Sequence, residues 1–266
     1  MSAGIAFTLT DVAVRRSGRC ILDIPHLAVE PGQFINLIGP NGAGKTTLLN
    51  VCCGLLRPDR GSVVFDGVCV NTLSGWGRTR LRKRIGYVPQ RAEYNAELPF
   101  TVREVAVMGR AARKPLGVPL NRDDYAVAEG WLDRLGVGDR IHQTFSSLSG
   151  GQQQKALIAR AMAQEPHLLI LDEPVASCDM GWTFQIIEIV TNLARQGGLT
   201  VILVSHEIQS LPLTSDRTIL LDGGRIVADG PTRQVLTSPE LTSVYGCGVS
   251  IVQTDAAECV YCYPAA

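Results

Sequence analysis

Nine residues, Gly39-Pro40-Asn41-Gly42-Ala43-Gly44-Lys45-Thr46-Thr47, constrain this chain more than any other stretch. They follow a short apolar run, Phe34-Ile35-Asn36-Leu37-Ile38, and precede a helical pattern (Leu48, Leu49, Val51, Cys52, Leu55) that Arg57-Pro58 stops. Strand, G-x-x-x-x-G-K-T loop and helix in that order predict a phosphate cradle. Glycines let consecutive backbone N–H groups approach an anion, and the helix N-terminus adds its positive end. In such a loop Lys45 reaches the β- and γ-phosphates of a nucleotide and Thr46 offers its hydroxyl to Mg²⁺. Thr47 is placed to support the α-phosphate.

Two further segments carry chemistry of the same kind. Leu168-Leu169-Ile170-Leu171 is an apolar run ending in Asp172-Glu173-Pro174. A carboxylate at a strand end, Asp172, can hold Mg²⁺, and the next one, Glu173, can take a proton from an attacking water. Ser149-Gly150-Gly151-Gln152 opens a helical pattern running to Ala163. A hydroxyl, glycine N–H groups and a helix N-terminus there predict a second anion site.

Periodicity supplies the frame. Residues 5–14 alternate apolar and polar and predict an antiparallel strand, with Arg16-Ser17-Gly18-Arg19 as its turn. Val63–Phe65 and Ile85–Val88 predict further strands. Helical patterning dominates from about 91 to 165, over Val102–Gly109, Ala126–Leu135 and Gly150–Ala163, around a Pro/Gly-rich loop at Ala112–Asn121. Leu168–Leu171 and Val201–Val204, separated by a helix at Trp182–Ala194, predict parallel crossovers. Ile219–Asp222, Gly223-Gly224 and Arg225–Ala228 predict a hairpin. The expected class is α/β: a P-loop NTPase with a parallel core sheet, an N-terminal antiparallel β part and an inserted helical subdomain. The expected division is an ATPase domain over 1–240 and a tail over 241–266 that can carry a short strand.

Composition narrows the partners. The chain has 25 Lys plus Arg against 25 Asp plus Glu, so no global charge argues for nucleic acid. The basic cluster Arg78, Arg80, Arg82, Lys83, Arg84 reads as a solvated face. No signal peptide and no spanning helix are expected, so a membrane role must come through a partner. Most of the eight cysteines sit in apolar stretches and read as core residues. Cys259-Val260-Tyr261-Cys262, with Cys247 upstream, has a spacing that can bind metal or form a redox pair, against an ordinary tail strand as the other reading.

The glycine loop followed by Leu148-Ser149-Gly150-Gly151-Gln152 resembles the ATPase subunits of ATP-binding-cassette (ABC) transporters, from about Phe7 to Gly246. The resemblance implies ATP hydrolysis with Mg²⁺, with Gln90 as the glutamine that touches Mg²⁺ and water and His206 as the switch histidine at the γ-phosphate. It also implies a head-to-tail dimer in which Ser149, Gly150, Gly151 and Gln152 meet ATP held by a second ATPase subunit, and Asp179 communicates across the interface. Arg15 and Arg16 stand where many relatives stack an aromatic residue on adenine, and Cys178 stands where leucine is usual. Tyr87–Glu93, Pro99–Val102 and Val107–Arg110 are similar to importer subunits for metal ions or chelates. Ser149–Gln154 leans to the zinc and manganese branch, and Val244-Tyr245-Gly246 to the iron-chelate branch. The implied partners are an integral-membrane permease and, indirectly, an extracytoplasmic substrate-binding protein, with the chain peripheral on the cytoplasmic face of the inner membrane. The alternative is a soluble ABC ATPase scaffold of the iron–sulfur-assembly kind.

Overall fold

The computed structural model describes residues 4–90, 99–115, 117–175, 180–253 and 258–264. Asp179, Cys178 and the segment 91–93 therefore lie outside the described residues. Strands β1 (Phe7–Arg16) and β2 (Arg19–Val29) form the expected antiparallel hairpin. They join β4 (Arg60–Phe65) and β5 (Val68–Cys69) in a four-stranded sheet of order β2-β1-β4-β5. The Ser17-Gly18 turn takes positive φ at both residues, which the twist of a tight hairpin requires.

A second sheet has the order β10-β9-β3-β8-β7-β6. Its strands are β3 (Phe34–Ile38), β6 (Ile85–Val88), β7 (Leu168–Asp172), β8 (Thr200–Ser205), β9 (Arg217–Asp222) and β10 (Arg225–Gly230). β6, β7, β8, β3 and β9 run parallel, and β10 returns antiparallel on the edge. Every residue of β3, β7 and β8 is buried. That is why these strands read as continuous apolar runs rather than as alternation: a parallel sheet is covered on both faces.

The core splits accordingly. One cluster joins the antiparallel sheet to α1 (Lys45–Cys52) and one face of the parallel sheet, through Phe7, Phe65, Leu48, Leu49 and Ile170. A second joins the other face to three helices, α3 (Val102–Ala111), α4 (Arg122–Arg134) and α5 (Gly150–Ala163), and to α6 (Met180–Gly197). A third covers the β9 end with α7 (Thr232–Leu236), α8 (Pro239–Tyr245) and the hairpin β11 (Cys247–Gln253) and β12 (Glu258–Pro264). The tail thus carries two strands where sequence gave one, and α8 runs across position 240. A helix the periodicity missed, α2 (Gly75–Arg82), holds Arg78, Arg80 and Arg82. Its one buried apolar residue, Leu81, is too little to set a period.

Two features of the helical part generate tests. Gly109 lets α3 approach α5 so closely that a Cβ there would collide with the Arg160 carbonyl. Gly109→Ala should therefore destabilise by about 1–3 kcal/mol, read as a lower denaturant midpoint; an unchanged midpoint would refute the close packing. Asp124 closes a capping box with Asn121 at the head of α4 and receives Lys114 and Arg110. The Asn121 N–H first, then the Lys114 ammonium, hold its carboxyl at about 2, below the usual 3.8. A depressed carboxylate contributes stability above its unfolded value and loses it as pH falls through its folded one. Unfolding monitored between pH 4 and 2 should show this loss in the parent, and Asp124→Asn should flatten it.

Candidate functional site

The parallel register sets the site. Ile38 of β3 pairs with Ser205 of β8, and Asp172 of β7 pairs with Val204. The chain leaving each strand at this edge is therefore Gly39, His206 and Glu173, side by side. This is the carboxyl edge of an open parallel sheet, where such folds bind ligands.

The glycine loop turns at this edge. Gly39 has φ 153° and lies so close to the Leu221 carbonyl that a Cβ would not fit. Gly44, with φ 103°, caps α1 from the left-handed region that favours glycine. Between them Pro40, Asn41, Gly42 and Ala43 complete the loop, with Asn41 and Gly42 exposed and Ala43 buried. Lys45 opens α1 with its Nζ donating to the Gly39 carbonyl at 2.7 Å and the Pro40 carbonyl at 3.1 Å. Thr46, next along the first turn, is exposed and Thr47 half-buried.

Glu173 is the hub. Its Oε1 lies 3.9 Å from Lys45 Nζ and 3.0 Å from His206 Nδ1, and its Oε2 accepts from Gln90 Nε2 at 2.5 Å. The His206 approach is off the line of a good hydrogen bond, so this is a polar contact open to rearrangement. Glu173 also sits at φ 50°, a conformation that costs a non-glycine residue about 1–3 kcal/mol and aims its carboxylate off the strand end. Lys45, Asp172 and Glu173 are 7, 5 and 8% exposed, so three charges share a nearly dry pocket. Burial raises the Asp172 carboxyl above its usual range, and Glu173 adds to the rise. Burial lowers Lys45 despite both carboxylates.

In the sequence Tyr87 figures only within the strand pattern Ile85–Val88 and as the start of the run Tyr87–Glu93. Its hydroxyl donates to Asp172 Oδ2 at 2.9 Å, because β6 and β7 pair in parallel with Tyr87 opposite Ile170. That link needs the pairing of two strands 83 positions apart, Tyr87 against Ile170, which no local pattern shows. Trp182 was likewise read only as the start of a helix. Its indole packs on Gly151, with Lys155 Nζ 4.8 Å above the ring.

Ser149, Gly150, Gly151 and Gln152 are not brought to this pocket by any described contact. They head α5 in a capping box: the Ser149 hydroxyl accepts from Gln152 N at 3.4 Å, and Gln152 Oε1 accepts from Ser149 N at 3.1 Å. Arg15 and Arg16 are exposed at the β1–β2 turn, and Arg15 N donates to Asp59 Oδ2 at 2.6 Å. A cavity of about 470 Å³ there is lined by Arg15, Cys20, Asp23 and Asp59.

Tyr87→Phe removes the one hydroxyl that Asp172 receives. A hydrogen bond to a charged group is worth about 1.5–3 kcal/mol, so this variant should need more Mg²⁺ for half-maximal ATPase activity. An identical Mg²⁺ dependence would remove Tyr87 from the site.

Comparisons with known proteins identify the family. The family model described as ABC transporter matches residues 22–176. The chain is 37% identical over 238 residues to the zinc import ATP-binding protein ZnuC of Pseudomonas fluorescens (strain Pf0-1), covering 90% of this chain and 81% of that one. It is 37% identical over 243 residues to the hemin import ATP-binding protein HmuV of Nocardia farcinica, covering 88% and 80%. Among solved structures, a transporter assigned to the metal-chelate ABC type, in an inward-facing conformation, superposes with a TM-score of 0.83 at 26% identity, covering 99% and 98%. With its glycine loop, strand-end carboxylates and helix-capping serine in the order this family shares, the chain belongs to the ABC transporter family and is one of its ATP-hydrolysing chains.

Proposed function

We propose that this ATPase powers import of a metal ion or metal chelate through a separate membrane permease, fed by an extracytoplasmic substrate-binding protein. The observation that carries the catalytic part is the convergence of Lys45, Gln90 and His206 on one carboxylate, Glu173. The cargo class rests on relatives named for zinc and hemin import. The chain works on the cytoplasmic face of the inner membrane, as a peripheral subunit. Among the described residues no helix is long and apolar enough to cross a membrane.

In this reading the amides of Gly39–Thr47 hold the phosphates of ATP. Lys45 turns from the Gly39 and Pro40 carbonyls to the β- and γ-phosphates. Glu173, at the strand end, accepts the proton of the attacking water as its general base. Gln90 and His206 hold that water and the γ-phosphate in line. The donor set suits Mg²⁺: Thr46 offers an exposed hydroxyl, Gln90 an amide oxygen, and Asp172 a carboxylate whose burial beside Glu173 calls for a second positive charge. Bound there, the ion would neutralise charge on the phosphates. Arg15 or Arg16 takes the adenine by stacking its guanidinium plane.

Ser149, Gly150, Gly151 and Gln152 complete the site of a second subunit in a head-to-tail dimer, with Asp179 linking the two. We assign to the permease a groove of about 400 Å³ between α2 and the α3–α5 pair, lined by Arg82, Tyr87, Met108 and Gln164.

Glu173→Gln should keep ATP binding and lose about 10²–10⁴-fold in hydrolysis, the usual contribution of a general base. Hydrolysis at the parent rate would sink the assignment. Purification of the tagged chain from detergent-treated membranes should bring down a polytopic permease, identified by mass spectrometry. A soluble partner in its place would replace transport with the scaffold reading.

A further inference from the structure

The tail hairpin re-sorts the cysteines that sequence spacing had grouped. Successive residues of a strand face opposite sides, so Cys259 and Cys262, three apart on β12, cannot form one site. Cys259 is exposed, whereas Cys262 packs with the cluster of Ile208, Leu211, Leu236 and Leu241. Val249 stands opposite Cys262 in the register, and Cys247 is two residues before Val249. Cys247 and Cys262 therefore share the inward face as diagonal neighbours. The Cys262 thiol interacts with both Cys247 and the Gln209 side chain.

We propose that Cys247 and Cys262 are a thiol pair that a hydroperoxide closes to an intrachain disulfide, and that closure acts on nucleotide binding at the Gly39 loop. Two contacts connect the pair to the site. Tyr245, two residues before Cys247, buries its hydroxyl beside the Gly39 amide without a hydrogen bond of good geometry. Gln209, which meets Cys262, lies in the short helical turn Ile208–Ser210, three residues beyond His206. Diagonal Cα atoms stand about 7–8 Å apart, and a disulfide spans about 4.4–6.8 Å. Closure must therefore draw β12 along β11, moving the strand that packs on the His206 turn.

The chemistry balances with the peroxide as two-electron oxidant. Cys247 gives up its proton, its thiolate attacks the terminal oxygen of the hydroperoxide, and the O–O bond breaks; Cys247 becomes a sulfenic acid and the leaving alkoxide takes up that proton as an alcohol. The Cys262 sulfur then attacks the Cys247 sulfur. The S–S bond forms, the S–O bond breaks, and the hydroxide leaves as water with the proton of Cys262. Burial, and then the nearby Cys247, push the Cys262 thiol up, which suits it to the second step rather than the first.

The test treats the full chain with a small excess of an alkyl hydroperoxide. Free thiols should fall by two from the eight in the chain, and a Cys247–Cys262 linked peptide should appear on non-reducing digestion. Cys262→Ser should abolish the linkage, Cys259→Ser should keep it, and dithiothreitol should restore the thiols. Affinity for a fluorescent ATP analogue should shift on oxidation and return on reduction, and Cys262→Ser should not show the shift. Absence of the linked peptide, or a linkage through Cys259 between chains, overturns the pair. A linked peptide with unchanged affinity overturns its action on the loop. That second claim rests on the Gly39 loop being the phosphate site; the thiol count does not, so the two fail separately.

Discussion

Parallel pairing of β3, β8 and β7 in one register is the constraint on which the rest depends. Because Ile38 is level with Ser205, and Asp172 with Val204, three separate stretches of chain leave the sheet at a common edge. The glycine loop, the Glu173 carboxylate and His206 are neighbours for this reason alone. Slipping any one strand by a residue would turn its fully buried side chains to the opposite face and withdraw its share of the site. The apolar covering of both faces fixes the register, so the core and the chemistry are determined by the same packing.

What that edge holds is costly to hold. Lys45, Asp172 and Glu173 are nearly dry, and an ion taken from water loses several kcal/mol that only close partners offset. The partners are supplied by elements far apart in sequence: two loop carbonyls for Lys45, Tyr87 for Asp172, Gln90 for Glu173. Positive φ at Glu173 adds backbone strain at the same point. Such concentration of unfavourable terms at one strand edge is the physical mark of the candidate site.

Most of the frame was legible because burial is written into the chain as period. β3, β7 and β8 stood out as apolar runs, and α3, α4 and α5 as 3.6-residue stripes, to which the structure adds the capping residues Thr101, Asn121 and Ser149 at their heads. What stayed hidden lacked that signature. The helix α2 buries one apolar residue, and α7 is a single short turn. Of the β11–β12 hairpin one short strand was expected and the second was not. Of the site, the residues in fixed short motifs were readable one by one; Tyr87 and Trp182 were not, since their roles exist only across paired strands or packed helices. The Cys259–Cys262 spacing belongs to a strand, one of its two readings, and strand geometry sets the two thiols on opposite faces.

The closed cap at the head of α5 has a consequence for assembly. Ser149 accepts from Gln152 N through a lone pair of its hydroxyl, a cap worth about 0.5–2 kcal/mol, and keeps its O–H to donate. In the head-to-tail dimer proposed above, a phosphate from the second subunit would take that O–H but would compete with the serine oxygen for the Gln152 amide. The Gln152 amide is then shared rather than free, so in that dimer the incoming anion would have to be both highly charged and well placed. On the same reading the interface would loosen once the terminal phosphate is gone.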